Sequence, residues 1–254
     1  MPQEARSSLP LSGRVALVTG SAQGLGQGIA VRLAAVGATV IGVDRSSQDE
    51  TESRVGSVGK DLSAHTIDIT DERRVAELVA EVTDAHGRLD ILVNNAGVDD
   101  AISFDELELD RWQHVLRVNL EAPFLLIKGF LPLMRRNGFG RIINIASGSV
   151  VNTMTGFVAY RASKMGVIGM TRALSSELGS DGITVNAVSP GVITTPMSTA
   201  SLTPQFLEAT IAKQGVKRSG VPDDIAGAVA FFADPLSAFI TGQTLMVNGG
   251  AAFV

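Results

Sequence analysis

The chain contains no cysteine, so disulfides, thiolate metal centres and thiol nucleophiles are excluded together. Histidine is scarce too, and His65, His86 and His114 show no ligand-like spacing, so no metal site is expected. Aromatic residues make up 5% of the composition, with one tryptophan, Trp112, and one tyrosine, Tyr160. No apolar stretch reaches about 18 residues without a charge or a run of glycines, which leaves nothing suited to span a membrane as a helix. A net charge of −5, with no basic run beyond Arg135 and Arg136, argues against a nucleic-acid partner. The first residues, MPQEARSSLP, have no apolar core and do not read as a signal peptide. Residues 1–11 are expected to be a flexible tail before one folded unit at 12–254. Cytoplasmic localisation is the default expectation.

With 254 residues, one α/β domain can bury roughly 70–75% of its unfolded surface without staples. Its organising stretch is VALVTGSAQGLGQGI, from Val15 to Ile29. Strand formers at 15–19 lead into Gly20, Gly24 and Gly26, after which a helical pattern begins. Glycines in such a turn admit positive φ and close approach of a ligand to the backbone. The new helix offers unpaired N–H groups and a positive dipole end, a place for a pyrophosphate.

Beyond this point apolar runs and helical patterns alternate, the signature of βαβ units. Helix 25–36 is followed by a strand at 39–43 that Asp44 ends. The polar segment 45–60 reads as a loop with at most a short helix. A strand at 65–69 and a helix opened by Asp71 and Glu72 come next. A strand at 89–93 ends in Asn94-Asn95-Ala96-Gly97, and a long helix at 109–136 should kink or split at Pro123. Strand 141–146, helix 160–178, strand 184–188, an uneven stretch at 194–220, helix 222–232 and a strand near 245–247 complete the chain. The expected architecture is a single-domain Rossmann fold. It is a doubly wound parallel sheet of about seven strands with helices on both faces and ligands at the strands' C-terminal ends.

The polar residues fall where such a fold would use them. Asp44, Asp68, Asn94, Asn95, Ser147, Pro190 and Gly191 lie at or just beyond strand ends, hence on one rim of a parallel sheet. A carboxylate at Asp44 suits both ribose hydroxyls of an adenosine. A 2′-phosphate there would meet like charge, which favours NAD over NADP, with Arg45 as the residue able to offset the repulsion. Tyr160 and Lys164 are four apart on a helix and share a face. An ammonium beside a phenol is expected to lower its pKa and make Tyr160 a general acid and base. Ser147, thirteen residues earlier, can hold a substrate oxygen while Tyr160 exchanges the proton.

Taken together, these motifs make the chain resemble the short-chain dehydrogenase/reductase family over about 13–250. They are TGSAQGLG at 19–26, Asp68, NNAG at 94–97, Asn119, Ser147, YRASK at 160–164 and PGVITT at 190–195. The resemblance implies that Gly20, Gln23, Gly24, Leu25 and Gly26 cradle the cofactor, and that Asp68 and Ile69 lie by its adenine. It implies that Asn95, Ala96, Gly97, Pro190 and Gly191 also contact the cofactor. Lys164 would hold the nicotinamide ribose, Ile193 and Thr195 the carboxamide, and Asn119 a water in a proton relay from Lys164. The thin segment after Arg45 is the departure, and it leaves open the outer wall of the adenine pocket.

The activity expected from this set is NAD(H)-linked interconversion of a neutral secondary alcohol and its ketone. The cofactor moves hydride and the protein handles one proton. A 3-oxoacyl-acyl-carrier-protein reductase is the alternative. Such enzymes typically prefer NADPH, and their docking arginines correspond here to Gly138 and Asp181, with Arg135 and Arg136 nearby. A non-catalytic dinucleotide sensor is the remote alternative, and it should lack part of the Ser–Tyr–Lys set. Residues 194–220 are expected to form a substrate lid, with Met197, Leu202, Phe206 and Leu207 facing Val150, Val151, Met154 and Phe157. Lys213, Lys217 and Arg218 sit at the lid's far end. With Asp99 and Asp100 past the fourth strand, a small acidic substrate is disfavoured. Apolar residues such as Val118, Phe124, Val167 and Met170, and the C-terminal AAFV, point to contacts between subunits, and the resemblance implies a homotetramer with two-fold interfaces.

Overall fold

The computed structural model describes residues 9–99, 101–152 and 155–253, with the side chains of Met197, Ala200 and Ser201 outside that description. Asp100, Met154 and Val254, named above, lie outside the described residues, as do 1–8 of the expected tail. Leu11, placed in that tail, is buried and packs in the core, and its N–H donates to Val36 O at 2.9 Å. The folded unit therefore begins before residue 12.

Seven strands form one sheet, ordered β3-β2-β1-β4-β5-β6-β7 and parallel throughout. They are β1 Val15–Thr19, β2 Thr39–Asp44, β3 Leu62–Thr66, β4 Ile91–Asn94, β5 Gly140–Ile145, β6 Ile183–Pro190 and β7 Thr244–Val247. The order reverses between β1 and β4, which opens a crevice at their C-terminal ends. Side chains alternate across the sheet. Ala16 and Val18 of β1 pack under α1 (Gly24–Ala35) and α9 (Pro222–Ala233). Val15 and Leu17 face the opposite way, toward α3 (Glu72–His86), α5 (Ala122–Asn137) and α6 (Val158–Leu178). A sheet covered on both faces needs nearly continuous apolar strands, and β1, β4 and β5 are buried along their whole length.

Most boundaries agree with the sequence within two residues, and three elements bear on the site. The strand expected at 65–69 lies at Leu62–Thr66, where Val40 of β2 pairs with Leu62. Ile67 and Ile69, which suggested the later strand, are buried side chains beyond the strand's end. The polar segment after Arg45 holds a two-turn helix, α2 (Asp49–Gly56), with Gln48 and Thr51 buried. The long helix splits into α4 (Leu109–Leu116) and α5, joined by one π-helical turn at Arg117–Glu121. Pro123 follows directly on this turn within continuous helical backbone, so it offers no N–H to the carbonyls of Val118 and Asn119.

The surface assigned to assembly is also revised. Val167 is buried, Met170 packs on the core and Val118 lines a cleft, so of those four residues Phe124 alone is exposed. Other apolar side chains are exposed instead, among them Phe231, Leu236 and Phe239. Among the described residues, no helix is long and apolar enough to cross a membrane, and no cluster of His, Asp or Glu could hold a metal ion.

Candidate active site

A cleft of about 930 Å³ runs along the C-terminal rim of the sheet from β2–β3 to β6–β7. Its first end is built by the glycine-rich turn. Gly20 has φ +68°, and a Cβ there would lie 2.8 Å from Ala96 Cα. At Gly26 a Cβ would fall 2.0 Å from Gly20 O, so α1 can approach the turn only with glycine at this position. Gln23 precedes α1 without any side-chain cap on its first N–H groups. Those donors face an open cleft, which suits an anion. Gly20, Gln23, Gly24 and Leu25 line the cleft, whereas Gly26 lies behind it.

Behind the turn, the segment after Arg45 supplies a buried polar brace. Ser21 Oγ donates to Gln48 Oε1 at 2.6 Å, and Gln48 Nε2 donates to the carbonyls of Gly42 and His65, each at 3.2 Å. Thr51 Oγ1 donates to Ser21 O at 2.8 Å. The segment thus supports the turn from behind, and of its residues Arg45 and Ser46 line the cleft.

Asp44 stands at the end of β2 on the cleft wall, fixed by N–H groups of Ala22 and Ser46, each 3.0 Å from its carboxylate. Asp68 and Ile69 line the same end. The Thr70 N–H holds the Asp68 carboxyl below its usual pKa, aided by the Thr70 hydroxyl and by Arg45 and His114, while burial opposes. Arg45 thus lies close enough for its charge to act on Asp68. His114 and Arg117, three apart on one face of the α4 end, also line the cleft. Neither residue belongs to the sequence motifs that mark the site. Their spacing was the available signal.

Asn95, Ala96 and Gly97 line the middle of the cleft, and Asn95 Nδ2 ties β4 to the turn by donating to Thr19 O at 2.8 Å. Opposite them, Ser147 follows β5, and Tyr160 and Lys164 come from the start of α6. Ser147 Oγ accepts from Ser149 N–H at 3.1 Å and is hydrogen-bonded to Tyr160. Lys164 is buried, with Nζ donating to Ile145 O at 2.8 Å. Burial pulls its pKa down to about 8.

The expectation that Lys164 lowers the Tyr160 pKa is not met. Burial raises the phenol above its ordinary value, the Ser147 hydrogen bond works against that rise, and the charge of Asp99 adds to it. The reason is geometric: Lys164 Nζ lies 5.7 Å from the Tyr160 ring centroid and gives its hydrogen bond to a backbone carbonyl. Tyr160 is therefore a protonated acid at neutral pH in the free protein.

Asn119 sits in the π-helical turn, buried behind the cleft wall. Its Oδ1 accepts from Val98 N–H at 2.8 Å, and its Nδ2 donates to Val98 O at 2.8 Å and Ser163 Oγ at 3.0 Å. That amide is fully engaged in clamping the loop after β4 onto α6. Any water held at Asn119 would be held by its backbone, since a π turn breaks the regular carbonyl pattern. Gly97 touches both parts: a Cβ there would lie 3.2 Å from Asn119 Oδ1 and 3.4 Å from Lys164 Nζ.

Pro190, Gly191, Ile193 and Thr195 carry the cleft onto β6, and Thr195 caps the next helix, α7 (Pro196–Ser201). Helix α8 (Pro204–Lys213) then lies over the far end. Leu202 and Phe206 line the cleft as expected, while Leu207 does not. Of the opposite wall, Phe157 lines the cleft, edge-on to Tyr160 with centroids 6.3 Å apart. Val150 packs away and Val151 is exposed. Lys213, placed by sequence at the lid's remote end, is on the cleft wall.

This arrangement fits a nicotinamide dinucleotide. A cradle that tolerates no Cβ, an uncapped helix N-terminus, a carboxylate at the end of β2 and a buried lysine follow one another along a single cleft.

Comparison with known proteins agrees. The family model described as enoyl-(acyl carrier protein) reductase matches residues 20–252. The 3-oxoacyl-acyl-carrier-protein reductase FabG of Vibrio cholerae is 41% identical over 242 residues, covering 94% of this chain and 98% of the relative. The (2S)-((R)-hydroxy(phenyl)methyl)succinyl-CoA dehydrogenase subunit BbsD of Thauera aromatica is 41% identical over 244 residues, covering 94% and 97%. A crystal structure of a proposed 2-deoxy-d-gluconate 3-dehydrogenase from Agrobacterium tumefaciens, with bound NADP, superimposes with a TM-score of 0.89 at 36% identity, covering 97% and 99%. By its sheet, its cleft and these relatives, the chain belongs to the short-chain dehydrogenase/reductase family and is an oxidoreductase of that family.

Proposed function

We propose that this enzyme is an NAD(H)-dependent oxidoreductase that interconverts a 3-oxoacyl thioester and its 3-hydroxy form. The observation that carries the reading is the placement of Ser147, Tyr160 and Lys164 on the cleft that Asp44 borders. The sensor reading would require that set to be incomplete. Asp44 supports NAD(H), because a 2′-phosphate would stand against a carboxylate, and the neighbouring Arg45 is the cleft residue able to offset that repulsion. The NADP bound to the Agrobacterium protein is a property of that relative, and it makes cofactor choice the first thing to test here.

The thioester class is supported by the two relatives, one named for an acyl-carrier-protein substrate and one for a coenzyme A thioester. The carrier-protein version is less well supported. Arg135, the arginine nearest the expected docking positions, is ion-paired with Asp181 at 2.7 Å, and Gly138 offers no side chain. A simple neutral ketone remains a second reading, favoured by Phe157, Leu202 and Phe206 on the cleft wall.

Nicotinamide, when bound, supplies the hydride. Ser147 and Tyr160 hold the substrate oxygen between two hydroxyls, and in reduction Tyr160 delivers its phenolic proton there. Lys164 holds the cofactor's ribose and keeps a positive charge near the phenol as the proton leaves. Residues 194–220, with α7 and α8, act as the lid that excludes water. A homotetramer is proposed as well, supported by the exposed Phe124, Phe231, Leu236 and Phe239. The activity is tested by following NADH oxidation with acetoacetyl-CoA. Turnover is expected. Reduction of simple cyclic or aryl ketones with no turnover of the thioester would replace this reading with the second one.

A further inference from the structure

The substrate end of the cleft is electrostatically graded. Asp99 lines it beside the reacting centre, close enough to act on the Tyr160 phenol. At the opposite end, beyond β6 and β7, the wall is made by α8 and by the residues after β7, including Asn248 and Ala252. Two strand spacings separate β5 from β7, roughly 10 Å. One face of α8 lines this stretch. Phe206, Thr210 and Lys213 follow at intervals of four and three and all face the cleft. The stripe therefore runs from apolar, through a hydroxyl, to an ammonium at the mouth.

The other cations of the cleft stand away from this stripe. Arg45 lies near Asp68 at the adenine end, Arg117 lines the wall one helical turn from His114, and Lys164 is bound to Ile145 O. Near the mouth, Lys217 Nζ donates to Ala212 O at 2.7 Å and Arg218 is paired with Asp224 at 2.6 Å. Among the described residues Lys213 has no carboxylate partner, and its side chain is exposed on the cleft wall.

We infer that Lys213 is a specificity-determining residue that binds an anionic group on the distal part of the substrate, phosphate or carboxylate, while Asp99 rejects an anion next to the carbonyl. This rests on the thioester reading and deepens it. The substrate is neutral around its reacting carbon and charged at the end that leaves the cleft. A short keto acid would place its carboxylate beside Asp99, whereas coenzyme A places its charges outside.

The test compares three substrates with NADH: acetoacetyl-CoA, the neutral acetoacetyl N-acetylcysteamine thioester, and an N-acetylcysteamine thioester of a 3-oxo acid ending in a carboxylate. The readout is the ratio of kcat/KM for each anionic substrate to that for the neutral one. Lys213→Ala is expected to lower one or both ratios by about threefold to tenfold, the range of a charge-assisted contact partly open to water. The loss should appear in KM, be restored by Lys213→Arg and deepen with Lys213→Glu. A fall in the coenzyme A ratio alone identifies phosphate, and a fall in the carboxylate ratio alone identifies carboxylate. Ratios that stay the same in Lys213→Glu overturn the inference. If the wild type turns over no thioester, the thioester reading fails. The inference about Lys213 is then judged on a neutral 3-oxo ester and its carboxylate-ended counterpart.

Discussion

Replacing Lys164 with methionine should stabilise the free protein at neutral pH while abolishing its activity. Lys164 is buried, and burial lowers its pKa from the ordinary 10.5 to about 8. At about 1.4 kcal/mol for each tenfold change in proton affinity, holding this ammonium in the fold costs on the order of 3 kcal/mol at pH 7. Methionine fills a similar volume without the charge. It leaves Ile145 O without its donor at 2.8 Å, a loss of roughly 1 kcal/mol. The net gain at pH 7 is therefore about 2 kcal/mol.

The pH dependence carries the stronger signature. The folded-state pKa lies below the unfolded one, so between pH 8 and 10.5 the unfolded chain binds more protons. The wild type accordingly becomes relatively more stable as pH rises through this window. The advantage of Lys164→Met should shrink across it and give way to a small deficit above it. Urea melts of both proteins without cofactor, at one protein concentration and at several pH values, measure this difference. A difference that does not change with pH, or a variant already less stable at pH 7, would refute the reasoning.

Two further outcomes follow from the same site. Tyr160→Phe keeps the ring against Phe157 and removes the proton, so kcat should fall by about 10²–10⁴-fold while NADH still binds, as checked by fluorescence titration. Gln48→Ala deprives the Ser21 hydroxyl and two carbonyls of their buried partner, which should cost about 1–3 kcal/mol in a denaturant melt and raise KM for NADH more than it lowers kcat.

The sequence was most readable where one physical requirement governed each residue. The alternation of buried strands with amphipathic helices, such as Val75, Leu78 and Val82 on one face of α3, was enough for the sheet. Gly20 and Gly26 were legible because close backbone approach leaves no room for a side chain. The segment after Arg45 was obscure because its buried residues, Gln48 and Thr51, are polar and serve hydrogen bonds rather than an apolar stripe. The β3 strand was misplaced because Ile67 and Ile69 are buried outside the sheet. The Tyr160 environment is not encoded in the spacing, because four residues align two side chains on a helix but say nothing of where Lys164 Nζ is anchored. Lys213 was set too far away because α8 folds back over the cleft, a return that local patterning does not encode.

Cofactor choice is the most direct measure of the site, because it reads Asp44 alone against one phosphate. At about 4 Å and an effective dielectric near 20, that pair repels by on the order of 4 kcal/mol before solvent reduces it. The measurement is kcat/KM for NADH and for NADPH on a single thioester, with wild type and Asp44→Ser. NADH should be favoured by at least about tenfold in the wild type, and the preference should narrow in the variant. Equal values, or a preference for NADPH in the wild type, would contradict the role given to Asp44 and make Arg45 a phosphate partner.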